Sequence, residues 1–285
     1  MTFPAALPHG PITRVVDGVY AVRGTFRMGP GMTIGRTMTI VAAPDGLVIF
    51  NAVRLSAAGE EALAKLGAVK RLVKLSDSHG LDEPYYVDRY RPEVWVVRGS
   101  RSARVKADRT LGPEAPIEGA SVIDFPGTSG WAECAVLVPN GGGTLITCDV
   151  LQNHCDTEGA STFAKLMTPL LGFKGGVIVA PMWRKQQKVS GEAVREAVSG
   201  LLERPFENLV TGHGPPRRRR GEGERARGDR EREPLSYARA AGGTRRRISS
   251  SAGAGTARFG RIRPTLRSST TTKTSSSCSR RRTSP

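Results

Sequence analysis

Short apolar runs bounded by Gly, Pro and charged residues recur through most of this chain, with two longer amphipathic stretches between them. Gly18–Arg23, Thr37–Ala42 and Leu47–Phe50 read as strands, with Pro44-Asp45-Gly46 turning the chain between the last two. Ser56 is placed to cap a helix over Ala57–Leu66, whose Glu60 and Glu61 sit near its positive end. A strand over Arg71–Leu75 leads into the loop Asp77–Asp82, a short helix over Glu83–Tyr90 stops before Pro92, and Val94–Val97 is again a strand. Further strands are predicted at Ser121–Phe125, Cys134–Val138, Thr144–Thr147, Val177–Ala180 and Asn208–Thr211, and helices at Ser161–Met167 and Glu192–Leu202. Strands followed by β-α-β alternation imply a layered α/β protein. The pattern leaves open a doubly wound single sheet or two sheets packed face to face between helices.

Composition divides the chain. At 285 residues and 38% hydrophobic, it has room for one large domain or two smaller ones. The formal charge of +17 is concentrated: Arg217–Pro285 holds 20 Lys/Arg and 5 Asp/Glu, a net of +15, leaving +2 for residues 1–216. In that tail the larger aliphatics and Phe are only Leu235, Ile248, Phe259, Ile262 and Leu266, too little apolar area to offset an ordering cost of roughly 1–2 kcal/mol per residue. We therefore expect a domain over 1–216 and a disordered Arg/Ser/Gly-rich tail over 217–285. Such a tail could be a solvated linker, a weak non-specific nucleic-acid binder, or the out-of-frame product of a GC-rich gene. Its isolated Tyr237 and Phe259 give no base-stacking platform.

The N-terminus lacks a basic flank with a long apolar run, and no stretch reaches the 18 or so apolar residues of a membrane span. Cys134, Cys148, Cys155 and Cys278 form no Cys-x-x-Cys pair, as in a reduced protein. A cytoplasmic protein with no membrane partner is the expectation.

Candidate chemistry gathers at three strand ends: Asp77-Ser78-His79-Gly80-Leu81-Asp82, Cys148-Asp149 and Gly212-His213-Gly214. A strand end fixes the backbone while its side chain faces a cleft, so three such ends can aim carboxylate and imidazole at one point. These are ligand types for zinc, iron or manganese. In order and setting the segments resemble the metallo-β-lactamase-fold superfamily, mostly metal-dependent hydrolases. There the first loop usually reads His-x-His-x-Asp-His, a later strand supplies Gly-Asp, and the last ligand lies in Gly-His-Gly. The resemblance implies a four-layer αββα sandwich with its site at one edge, and a small-molecule substrate whose identity the motifs do not specify.

Aligned on His79, the family pattern puts Asp77 and Asp82 in place of histidines and Leu81 in place of the aspartate that holds a second metal. The Pro-Gly-His-Thr-like turn corresponds to Phe125-Pro126-Gly127-Thr128-Ser129-Gly130-Trp131, without the imidazole, and Glu133 stands nearby as a substitute. Four histidines in all, His9, His79, His154 and His213, are fewer than the five of the full family site. The remaining set is Asp77, His79, Asp82, Asp149 and His213, suited to one divalent ion, zinc first, iron or manganese next. His154, five residues beyond Asp149, is a candidate further ligand or proton-transfer group. The same residues also admit structural roles: Asp77 and Asp82 as helix caps, Asp149 as a turn former, the histidines as hydrogen-bonded loop residues. The chain is then either a mononuclear metal-dependent hydrolase or a non-catalytic relative that keeps the fold as a binding module. An Arg-rich nucleic-acid-binding protein is the third reading.

Overall fold

The structure, a computed structural model, describes residues 3–101, 104–125 and 130–218. Nine elements build its first half: β1 Thr13–Val16, β2 Val19–Gly29, β3 Met32–Ala43, β4 Gly46–Phe50, α1 Ala57–Leu66, β5 Val69–Lys74, α2 Glu83–Tyr90, β6 Glu93–Val96 and β7 Arg109–Thr110. The seven strands form one sheet in sequence order, antiparallel from β1 to β4 and parallel from β4 to β7. The switch follows from the connections: turns join the first four, while α1 and α2 carry the chain back between parallel neighbours.

The second half comprises β8 Ser121–Asp124, β9 Cys134–Val138, β10 Thr144–Ile146, β11 Leu151–His154, α3 Thr162–Leu170, β12 Gly176–Val179, α4 Pro181–Gln186, α5 Gly191–Leu202, β13 Asn208–Val210 and β14 Arg217–Arg218. A five-stranded sheet runs β14-β13-β10-β9-β8, and β11 pairs with β12 as a separate ribbon.

Side-chain alternation shows how the layers stack. On β4, Val48 and Phe50 join Val136, Val138 and Ile146 of the second sheet in the core between the sheets. Their neighbours Leu47 and Ile49 face the other way, onto Leu63 of α1 and Tyr86 of α2. On the second sheet Leu145 and Ala135 turn outward to Trp183 of α4 and Val194, Val198 and Leu201 of α5. Both sheets are therefore buried on two faces, and the chain forms the αββα sandwich. The cap of α1 is as the sequence implies: the Ser56 side chain accepts from Gly59 N–H, and His9 Nε2 accepts from Ser56 N–H at 2.8 Å.

Three features depart from the strand pattern read in the sequence. β2 and β3 extend well past Arg23 and begin well before Thr37, so that Gly29 pairs with Met32 in a long hairpin. Phe26-Arg27-Met28 and Met32-Thr33-Ile34 alternate as half-buried strands do, and ladder bonds together with the Ser161 bonds to Gly31 and Thr33 hold the extension. β1, β7, β11 and α4, too short for a periodic signal, were not anticipated. At the other end, Arg217 and Arg218 pair with Leu209 and Asn208, so regular structure runs two residues beyond the expected boundary at 216. The remainder of the Arg-rich tail, residues 219–285, lies outside the described residues.

Candidate functional site

The three chain segments meet at one end of the sandwich. Beyond β5, Lys74 Nζ donates to the His79 carbonyl and holds the first loop against its strand. Beyond β10, the N–H groups of Asp149 and Val150 both donate to Glu133 Oε1 at 2.7 Å, fixing the turn that presents the Asp149 carboxylate. Beyond β13, the loop carrying His213 is braced from both sides. Thr37 of β3 donates its N–H to the Gly212 carbonyl at 2.8 Å and its hydroxyl to the Gly214 carbonyl at 2.6 Å. Asn153 N–H donates to the His213 carbonyl at 2.9 Å. The glycines are sterically required. A Cβ on Gly212 would lie 3.0 Å from the Cys148 carbonyl oxygen and 3.2 Å from His79 Cε1. Gly214 has φ +92°, and a Cβ there would fall 1.7 Å from the Asn153 oxygen.

Three donor atoms converge. His79 Nε2 lies 3.1 Å from His213 Nε2, His213 Nε2 is 3.3 Å from Asp149 Oδ1, and His79 Nε2 is 3.6 Å from the same oxygen. Ligands about 2.0–2.2 Å from a tetrahedral zinc stand roughly 3.3–3.6 Å apart, so the two edges to Asp149 have the length of a coordination face and the His79–His213 edge, at 3.1 Å, is slightly shorter. The protonation states suit ligation. His213 Nδ1–H donates to the Gly35 carbonyl at 2.8 Å, leaving the Nε2 lone pair facing the other two donors. Burial, reinforced by the neighbouring His213 and Arg36, lowers the His79 pKa despite the Asp149 carboxylate, keeping its imidazole neutral at pH 7. Burial opposes ionisation of Asp149, but in the acid range where a carboxyl titrates the charge on His79 and hydrogen bonds from the two rings outweigh it and hold the carboxyl well below the usual range. Asp149 is therefore a carboxylate where the rings are neutral.

Around this triangle the polar atoms are largely assigned. Gln152 Nε2 donates to Asp149 Oδ1 at 2.8 Å, and Ser78 Oγ donates to Asp149 Oδ2. His154 Nε2 lies 2.8 Å from Gln152 Oε1 and must donate there, since an amide oxygen only accepts. Burial lowers the His154 pKa to about 4, so its ring is neutral. Cys148 Sγ also stands within 4.8 Å of the His79 and Asp149 donors. Its thiol is fully buried and pushed well up in pKa by that burial, which leaves the two imidazoles and the carboxylate as the better-formed set.

The other sequence candidates are engaged elsewhere. Asp77 accepts from Ser100 Oγ at 2.7 Å, Arg101 N–H at 3.1 Å and Ala132 N–H at 3.3 Å, tying three loops together. Asp82 pairs with Arg36 and accepts from Arg54 N–H at 2.8 Å, and its side chain makes no cap bond to α2. His9 supports the start of α1, far along the chain from the triangle. The triangle opens into a cavity of about 580 Å³ walled by Phe26, Met28, Met32 and Ile34 of the β2–β3 hairpin together with Leu81 and Trp131. Lys174 and Trp183 line it as well, and Trp183, beside Arg184 and Lys185, is 1% exposed and packs in the core at the same time.

No family model and no curated protein matches this sequence. Solved structures do. The DIM-1 metallo-β-lactamase exposed to ceftazidime aligns with a TM-score of 0.54 at 12% identity, covering 75% of this chain and 93% of that one. VMB-1 at pH 5.5 aligns at 0.52 and 16%, covering 73% and 90%. The mono-zinc form of FIM-1 from Pseudomonas aeruginosa aligns at 0.51 and 12%, covering 76% and 92%. This chain has the metallo-β-lactamase fold.

Within a metallo-β-lactamase fold, the departures in the first loop acquire a physical meaning. Leu81 is 44% exposed at the cavity wall and offers no donor atom. Glu133, the proposed substitute for the missing imidazole, is buried behind Asp149, and burial raises its pKa well above the usual carboxylate range. It braces a donor from within the core. Residues 126–129 of the corresponding turn lie outside the described residues. Sequence reasoning missed Ser78, Gln152 and Gly35 as partners of the triangle. Gln152 and His154, two apart on β11, share a strand face, and that spacing was the available signal.

Proposed function

We propose that this protein is a mononuclear metal-dependent hydrolase whose ion is held by His79, Asp149 and His213. The observation carrying this reading is the triangle of donor atoms 3.1, 3.3 and 3.6 Å apart at the wall of a cavity. A divalent ion there, zinc first and iron or manganese next, would supply Lewis acidity toward a carbonyl or phosphoryl oxygen and lower the pKa of water. The protein's own groups do the rest. The Gly35 carbonyl fixes the His213 tautomer and Lys74 holds the His79 backbone. His154 acts on the site through Gln152: its Nε2–H sets the amide so that Gln152 Nε2 donates to Asp149 Oδ1. An amide cannot pass a proton onward, so His154 positions a ligand in this scheme. The apolar hairpin excludes water from one side of the cavity, which strengthens electrostatic interactions within it.

A second reading, a relative that binds without catalysis, is favoured by one observation. Both acidic residues of the first loop, Asp77 and Asp82, are consumed in structural contacts, leaving no acid there to orient water. Metal analysis of protein purified without added metal tests the first part of the proposal, with one equivalent expected. Hydrolysis of ester, thioester and phosphoester substrates by that metal-loaded protein separates the two readings. Metal-loaded protein inactive on all three classes supports the binding module.

A further inference from the structure

Of the eight large apolar side chains left exposed among the described residues, Met28, Leu81 and Trp131 line the cavity already described, and the other five group on α3 and beside it. Phe163, Leu166 and Leu170, at positions i, i+3 and i+7 of α3, form one stripe that is 52%, 67% and 74% exposed. Leu171 and Met182 continue it, at 52% and 44%, to the wall of the cavity. The loop joins α4 closely, since a Cβ on Gly172 would lie 3.2 Å from Pro181 Cγ. α3 buries only its opposite edge, through Ala164. Such a contiguous patch marks a surface that something else covers.

Charge selects what covers it. From Thr162 to Lys188 the chain carries Lys165, Lys174, Arg184, Lys185 and Lys188 and no acidic residue, and all five are exposed. The nearest acids before α3, Asp156 and Glu158, are both drawn to Arg23. The Arg-rich tail, at net +15, would be repelled from this face, and two copies of the face would repel each other. A partner must be apolar and anionic at once. We propose that the α3–α4 face docks on an anionic lipid bilayer, with Phe163, Leu166 and Leu170 entering the acyl boundary and the exposed cations around the stripe, Lys174 and Lys185 among them, meeting headgroups. Docking of this kind needs no spanning segment, and among the described residues no helix is long and apolar enough to cross a membrane.

The full chain is tested with vesicles of equal parts phosphatidylglycerol and phosphatidylcholine, because the tail alone can adsorb to them by charge. An indole introduced by Leu166→Trp reports depth. Its emission, taken as the difference from wild type, should shift to the blue and be quenched by lipids brominated on their acyl chains. At high salt, where adsorption through the tail is screened, Leu170→Glu should weaken partitioning at least tenfold, since burying a leucine is worth a factor of about ten or more. An unchanged melting temperature shows that this exposed substitution leaves the fold intact. Vesicle sedimentation with an unquenched L166W indole would assign binding to the tail and overturn the proposal. A lipid-free dimer abolished by Leu170→Glu, or partitioning unaffected by that substitution at high salt, would overturn it equally.

Discussion

Replacing Gly214 by Ala tests whether the backbone approach beside His213 holds the metal centre together. The native φ of +92° is one that L-residues avoid, at a cost of roughly 1–2 kcal/mol. The added Cβ would also sit 1.7 Å from the Asn153 oxygen, a backbone atom that no rotamer change can move. Relief requires the Gly212–Pro215 loop or β11 to shift, at the expense of the Asn153–His213 backbone bond and the Thr37 hydroxyl bond to Gly214. Each such bond is worth about 1 kcal/mol, giving a total near 3–4 kcal/mol. At about 2–4 °C per kcal/mol for a domain of this size, melting should fall by roughly 6–16 °C. The shift should also spoil the triangle, so zinc affinity should drop at least tenfold in a competition titration with a chromogenic chelator. Gly29→Ala is the control, since its Cβ would meet nothing within 4 Å. Gly214→Ala protein that melts within about 2 °C of wild type and binds zinc normally would refute the argument.

Asp149→Ala and His213→Ala should each abolish tight metal binding, while His9→Ala should leave it intact and lower stability by about 1 kcal/mol through the start of α1; metal content and melting curves check both. Burial raises the Glu83 pKa to about 7 against 4.5 for the free group, so the native state holds its proton between those values while the unfolded chain does not. The resulting penalty is absent below pH 4.5 and complete above pH 7, at about 3 kcal/mol. Urea titrations should therefore show Glu83→Gln gaining on wild type as pH rises from 5 to 8, and a pH-independent difference would count against it. A chain ending at Arg218 should melt cooperatively, because β14 is retained; loss of the folded baseline would place the domain boundary elsewhere. The full chain should bind DNA weakly and release it steeply with salt, whereas salt-resistant binding by the shortened chain would contradict assignment to the net charge of +15.

Local chemistry made much of this protein legible in one dimension. Ser56 as a cap, Pro92 as a stop and the apolar runs of β4, β9 and β13 act within a few residues, so α1, α2 and β9 occur with the bounds their sequence implies. The Gly-His-Gly loop was readable for the same reason, because a glycine needed for positive φ announces itself. Which donors meet was not readable. Asp77, His79 and Asp82 lie within six residues, yet only His79 reaches the triangle; Ser100 and Ala132 claim Asp77, and Arg36 claims Asp82. Those claims come from residues 23 to 55 positions away, and no local pattern records them. The extended β2–β3 hairpin is a mixed case. Its outer residues alternate as a strand does, but only the tertiary structure brings Gly35 and Thr37 to the His213 loop. Residue type along the chain determined which groups were able to bind an ion, and long-range packing decided which of them face one another, because a side chain's direction is settled by the strongest partner within reach.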